Sequence, residues 1–202
     1  GDLIHDPAWA DGMDTDGNGY VDDISGYDFI ADVGDPFDDH GHGTIVAGIL
    51  GAIGNNGIGV AGVSWSSQIM PLRFHDGEPG HGSVNDAAEA IDYAVANGAK
   101  VSNNSWGAPG WPSDAGYSEV VRTAIANAAT AGHIVVAAAG NGGTDRIGDN
   151  NDDPNLACYP ASYDLDNIVA VAAMDYNDKL TVFSNYSSTR VDLGAPGDHI
   201  RS

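Results

Sequence analysis

Ile134-Val135-Val136-Ala137-Ala138-Ala139-Gly140-Asn141-Gly142 is the stretch that decides the fold. Its first six residues are apolar without a break, and turn residues come directly after them. A run that short reads as a strand covered on both faces, as strands of a parallel sheet are. Upstream, Gly132 ends a helical pattern from about Tyr117 to Ala131, and Lys100-Val101-Ser102-Asn103-Asn104 precedes it as a strand. Further back, Ser83 can cap a helix whose apolar positions Val84, Ala87, Ala88, Ile91, Ala94 and Val95 recur at spacings of three and four, with Asn97-Gly98 to stop it. Downstream, Ile168-Val169-Ala170-Val171-Ala172-Ala173 repeats the apolar run. Shorter strands are predicted at residues 26–30 and 69–74, and Thr44 to Leu50 suits a buried helix opening at the histidines before it. The alternation spells βαβ units, and hence an α/β fold with a mostly parallel central sheet flanked by helices in three layers. Ligands of such sheets bind beyond the carboxyl ends of the strands, so chemistry is expected in the residues just after these runs.

The charge balance narrows the partners. Seven Lys+Arg against 29 Asp+Glu give a formal net charge of -22, which repels phosphate backbones and anionic lipid. Neither nucleic acid nor a membrane is an expected partner, and no stretch reaches the roughly 20 apolar residues of a membrane span. The 202 residues are read as one domain, 1–202, and as a monomer. Cys158 is the single cysteine and reads as a packed thiol, with no activating cation beside it in sequence. The first residues have neither a positive segment nor an apolar one, so an export signal would have to lie upstream.

Two motifs carry chemistry. Asp39-His40-Gly41-His42-Gly43-Thr44-Ile45-Val46-Ala47-Gly48-Ile49 puts a histidine at the mouth of a small-residue helix, and imidazole titrates nearest neutral pH. Ala137-Ala138-Ala139-Gly140-Asn141-Gly142 puts an amide at the end of a strand, where a neutral donor can be held still. A capped histidine and a plain Gly-Asn-Gly turn are the alternatives for each motif alone. Together, and in this order, they resemble the subtilisin-like serine proteases (subtilases, peptidase S8). Asn103-Asn104-Ser105-Trp106-Gly107, Tyr159-Pro160-Ala161-Ser162, Phe183-Ser184-Asn185-Tyr186 and Asp192-Leu193-Gly194-Ala195-Pro196-Gly197 extend the likeness in register. Ile45 departs from the second histidine that many members carry there.

The resemblance implies a subtilisin-like fold, incomplete at both ends, and a serine endopeptidase using an Asp-His-Ser triad. His42 would be the general base and Asn141 the oxyanion donor. Asn104, Ser105, Trp106 and Gly107, with Ala138, Ala139 and Gly140, would bind substrate, the first segment by pairing with an extended polypeptide. Neither an Asp-Thr/Ser-Gly motif nor Gly-Thr-Ser-Met-Ala occurs in these 202 residues. Gly1-Asp2-Leu3-Ile4-His5-Asp6-Pro7 resembles the residues immediately after the triad aspartate, so these residues alone are expected to be inactive and to lack a central strand. The resemblance also implies secretion and leaves room for a propeptide partner. A non-catalytic binding module of the same fold is the rival reading. A zinc hydrolase built on His40 and His42 has no third ligand nearby.

A third constellation, Asp14-Thr15-Asp16-Gly17-Asn18-Gly19-Tyr20-Val21-Asp22-Asp23, matches the first part of an EF-hand loop. Asp14, Asp16, Asn18, the Tyr20 carbonyl and Asp22 form an oxygen-only donor set, which predicts a structural Ca2+. Ser25 stands where the EF-hand has its bidentate Glu, leaving Asp23 or Asp11 to complete the shell. Asp149-Asn150-Asn151-Asp152-Asp153-Pro154 reads as a solvated turn rather than a second cation loop. His5, His75, His81, His133 and His199 lack metal-ligand spacing and carry no assigned role.

Overall fold

The computed structural model describes residues 10–76, 82–107, 116–143 and 145–202. The segment Gly1 to Pro7, His5 within it, and His81 lie outside the described residues. The described chain contains strands β1 (Tyr27–Asp28), β2 (Leu72–Arg73), β3 (Val101–Asn104), β4 (Ile134–Ala138), β5 (Ile168–Met174) and β6 (Leu193–Pro196), with helices α1 (His42–Gly51), α2 (Val84–Ala96) and α3 (Glu119–Thr130). It forms two compact units, residues 1–90 with 201–202 and residues 91–200, whose boundary falls inside α2.

The second unit holds a four-stranded sheet in the order β3-β4-β5-β6, parallel throughout. Asn104 pairs with Ala137, and Ala138 with Val171, so β3, β4 and β5 advance in step toward one carboxyl edge. Helix α3 makes the return between β3 and β4 that parallel strands require, while β4–β5 and β5–β6 are joined without a helix among the described residues. Ser118 caps α3 by accepting from the Val121 amide at 3.3 Å, and Val121, Ala124, Ile125 and Ala128 bury one face of it. Ser83 caps α2 in the same way, taking the amides of Asn85 and Asp86. Buried positions on α2 include Ala87, Ala88, Ile91 and Ala94, four of the six apolar positions read from the periodicity. In β4 coverage alternates: Val135 and Ala137 are buried, while Val136 and Ala138 are partly exposed and Ile134 is exposed. The uninterrupted apolar run therefore overstates burial: the side of β4 that carries Ile134, Val136 and Ala138 is open in part.

His133 is a packing residue. Its Nδ1 lies 2.9 Å from the Ala99 carbonyl and its Nε2 2.9 Å from Ser102 Oγ, so both ring nitrogens are engaged. The turn at residues 149–154 is not a merely solvated loop. Asp152 accepts from the hydroxyls of Ser187 and Thr189 at 2.6 Å and from the Ser188 amide at 2.9 Å, tying this turn to residues 187–189. The Ser187 and Thr189 hydroxyls, with the Ser188 amide, hold its carboxyl well below the usual carboxylate range.

The first unit pairs β1 with β2 in parallel, Tyr27 opposite Leu72 and Asp28 opposite Arg73. Tyr20, Tyr27 and Phe29 pack edge to face beside them at centroid distances of 4.8 to 6.0 Å. Arg73 binds the buried carboxylate of Asp28 and reaches Asp39 at 3.1 Å, next to the histidine motif. Helix α1 forms where expected, but none of its residues is buried. A helix apolar on every side needs covering on every side, and its neighbours leave it partly open.

Candidate active site

His42 is the first residue of α1. The residue before it, Gly41, sits at φ +89° and offers no side-chain cap, so the helix start depends on a neighbour. That neighbour is Asp38. Its carboxylate accepts from the amides of Gly41 and Thr44 at 2.7 Å, from His40 at 3.1 Å and from Thr44 Oγ1 at 2.8 Å. Burial alone would raise its carboxyl, but the amides of Thr44 and Gly41 and the Thr44 hydroxyl outweigh this and bring it down to about 2. His42 itself is exposed, with its ring 6.5 Å from that of His40.

Asn141 comes just after β4 in the other unit. The sheet ladder continues one step beyond the strand, through the Ala139 amide to the Val171 carbonyl at 2.9 Å, and the chain then turns. Gly140 and Gly142 have φ of +114° and +69°. A Cβ on Gly140 would come within 2.5 Å of Asn185 Nδ2, and one on Gly142 within 2.3 Å of the Ile147 carbonyl oxygen, so glycine is demanded on both sides. The Asn141 side chain is exposed and has no hydrogen-bond partner among the described residues. It lines a cleft of about 500 Å³ with Gly142, Gly143, Arg146 and Phe183. A donor with no partner among the described residues, at the rim of a cleft and between two glycines that cannot take other side chains, suits binding of developing negative charge.

The 104–107 segment runs on from β3. Asn104 is buried, its Nδ2 donating to Ser102 Oγ at 2.9 Å and its Oδ1 accepting from Trp106 Nε1 at 3.0 Å. Its side chain is therefore occupied internally, and only backbone groups of residue 104 are left to engage anything else. Cys158 joins the segment to the Asn141 turn: a Cβ on Gly107 would lie 3.4 Å from its Sγ, and one on Gly140 3.0 Å. Burial, with a smaller contribution from the Asp149 charge, pushes this thiol up to about 12, which makes it a filler and not a nucleophile. Gly140 and Gly107 thus share one packing neighbour. Three residues that hold these groups escaped sequence reasoning: Asp38, Asn151 and Asn185. The two asparagines stand in an acidic turn and in a family-like segment, and neither setting assigns them a role.

In the acidic loop Asp14 and Asp22 turn onto the backbone, while Asp16 and Asp23 both take the Asn18 side-chain amide. Asp14 accepts the amides of Gly17 and Gly19 at 2.8 Å and of Asn18 at 3.1 Å, while Asn18 Oδ1 accepts the Tyr20 amide at 2.8 Å. Asp22 closes the loop on the amides of Asp11 and Gly12 instead. The all-oxygen donor set fits a hard cation. Among the described residues, however, no group of three or more His, Cys, Asp or Glu side chains converges so as to hold a metal ion.

A family model for the subtilase family matches residues 5–202. The chain belongs to that family. It is 40% identical over 179 residues to a thermophilic serine proteinase of Bacillus sp. (strain AK1), covering 89% of this chain and 40% of that protein. It is 39% identical over 179 residues to thermitase of Thermoactinomyces vulgaris, covering 89% of this chain and 57% of thermitase. Among solved structures, a protease of Pseudoalteromonas arctica PAMC 21717 superposes with a TM-score of 0.62 at 31% identity, covering 76% of this chain and 42% of that one. The chain thus spans about half, or less, of the lengths of the relatives it matches. The superposed structure shares the α/β architecture of this chain, parallel strands flanked by helices. Among the described residues no helix is long and apolar enough to cross a membrane.

Proposed function

We propose that these residues form part of one catalytic domain of a serine endopeptidase. The observation that carries the reading is the exposed amide of Asn141, without a partner among the described residues, on a strand-end turn beside a cleft. In this reading His42 takes the proton from a serine hydroxyl supplied by residues outside these 202. The alkoxide attacks the scissile carbonyl, and Asn141 Nδ2 donates to the oxygen as it gains charge. The protonated imidazole then delivers its proton to the leaving amine, and water repeats the sequence on the acyl-enzyme. Backbone groups of Ser105 to Gly107 and of Ala138 to Gly140 would hold the polypeptide substrate extended.

Reading the coding DNA on both sides, then expressing the complete reading frame and assaying it on a peptide substrate, tests this. Asn141→Ala should lower kcat on the order of 10²- to 10³-fold with little change in KM, a range that comes from this family rather than from this chain. His42→Ala should abolish labelling by a serine-directed inhibitor. A fully active His42→Ala protein would refute the assignment.

We further propose that Asp14, Asp16, Asn18, the Tyr20 carbonyl and Asp22 hold a structural Ca2+, which would offset the repulsion among these carboxylates. Chelation should lower the Tm of the complete protein, and Asp16→Ala should remove that sensitivity; an unchanged sensitivity would refute the site. Secretion, a monomeric state and a folding-assisting propeptide belong to the same reading, supported by family membership.

A further inference from the structure

Two asparagines with no part in that mechanism, Asn151 and Asn185, are both 0% exposed. A neutral amide is tolerated in an interior only when its donors and acceptor are satisfied. The Gly142 amide donates to Asn185 Oδ1 at 2.7 Å. Asn185 Nδ2 donates to Asn151 Oδ1 at 3.0 Å, and Asn151 Nδ2 donates to the Ala139 carbonyl at 2.8 Å. The three bonds run in one direction, so each amide dipole polarises the next. The relay leaves the main chain at residue 142 and rejoins it at residue 139. The two residues it brackets are Gly140 and Asn141. The backbone N–H of Asn185 also donates to the Gly140 carbonyl at 2.9 Å. Side bonds anchor the relay itself: Asn185 Oδ1 takes the Asp149 amide at 3.0 Å, and Asn151 Oδ1 the Cys158 amide at 3.3 Å.

We propose that Asn151 and Asn185 are positioning residues for Asn141, a buried relay of two side-chain amides that clasps the turn on both sides of the oxyanion donor. The inference rests on Asn141 being that donor. Asn141 has no side-chain partner among the described residues, so its aim is set by the backbone of residues 140–142. That backbone is gripped by side chains of this pair at the Ala139 carbonyl and the Gly142 amide, and by the Asn185 main chain at the Gly140 carbonyl. An oxyanion donor is effective because it is already in place when charge develops, and a displacement of about 1 Å is enough to cost of order 10²-fold in rate.

The test is a double-substitution cycle on the complete, active protein, with kcat and KM measured on one peptide substrate. Asn185→Ala should lower kcat at least about tenfold while KM stays within about threefold. Placed on Asn141→Ala, the same substitution should cost less than about threefold, because there is no longer a donor to aim. Equal losses in both backgrounds would show general support of the fold and overturn the proposal, as would an unchanged kcat in Asn185→Ala. An unchanged kcat in Asn141→Ala instead sinks the oxyanion assignment itself. If Asn185→Ala does not fold, hydrogen exchange on the unsubstituted protein decides. The Gly142 amide, in a half-exposed loop, should be protected to the level of the β4 amides; exchange at the rate of an open loop overturns the relay.

Discussion

His42 and Asn141 are each presented next to a glycine in the left-handed region, yet their mounts are made of opposite materials. The His42 mount is a half-exposed carboxylate, Asp38, gripping three amides and a hydroxyl at the start of α1. The Asn141 mount is neutral and sealed, two asparagines with no exposure at all. A charge near the surface can cap a helix strongly and remain partly hydrated, but its hold depends on pH and ionic strength. Buried amides neither titrate nor suffer screening, and their hold depends on shape. The difference teaches that the two chemical groups should fail under different insults.

The sharpest break in this comparison is expected from the glycines. Gly140→Ala combines a left-handed backbone with a Cβ 2.5 Å from Asn185 Nδ2, and should cost on the order of 3 kcal/mol or more in urea unfolding of the complete protein. A loss below about 1 kcal/mol would mean the turn is soft. Next comes Asn151→Ala, which strands the Ala139 carbonyl, the Cys158 amide and Asn185 Nδ2 without partners; about 2 to 3 kcal/mol should be lost, equally at low and high salt.

Asp38→Ala should cost less, about 1 to 2 kcal/mol, and the loss should depend on pH. The carboxyl is depressed to about 2 in the folded protein, so its contribution is complete above its ordinary value of 3.8 and disappears as pH falls through about 2. A pH series of melting curves should therefore show wild type and Asp38→Ala converging at the acid end; parallel curves would contradict the assigned role. The smallest effect belongs to Gly41→Ala. Its φ is +89°, but an added Cβ meets nothing within 4 Å, so only the backbone penalty of about 1 kcal/mol remains. A cost matching that of Gly140→Ala would erase the contrast between the two mounts.

Most of the fold was legible in the residues themselves. Periodicity located α2, α3, β3, β4 and β5 to within a few residues, because side-chain spacing reports which face of an element is covered. The candidate histidine and asparagine were legible as well, since each stands in a short contiguous motif. What local patterning could not supply was partnership. Asn151 sat in a run of Asp and Asn that reads as a hydrated turn, and nothing adjacent reveals that its amide meets Asn185, 34 positions away, or that Asn185 meets Gly142, 43 positions back. Nor does the composition of the acidic loop tell that Asp14 and Asp22 face the backbone. Local sequence determined the elements and the candidate groups, because spacing and motif are written along the chain. Tertiary structure alone decided what holds those groups, because a buried polar side chain is satisfied by whatever the fold brings beside it.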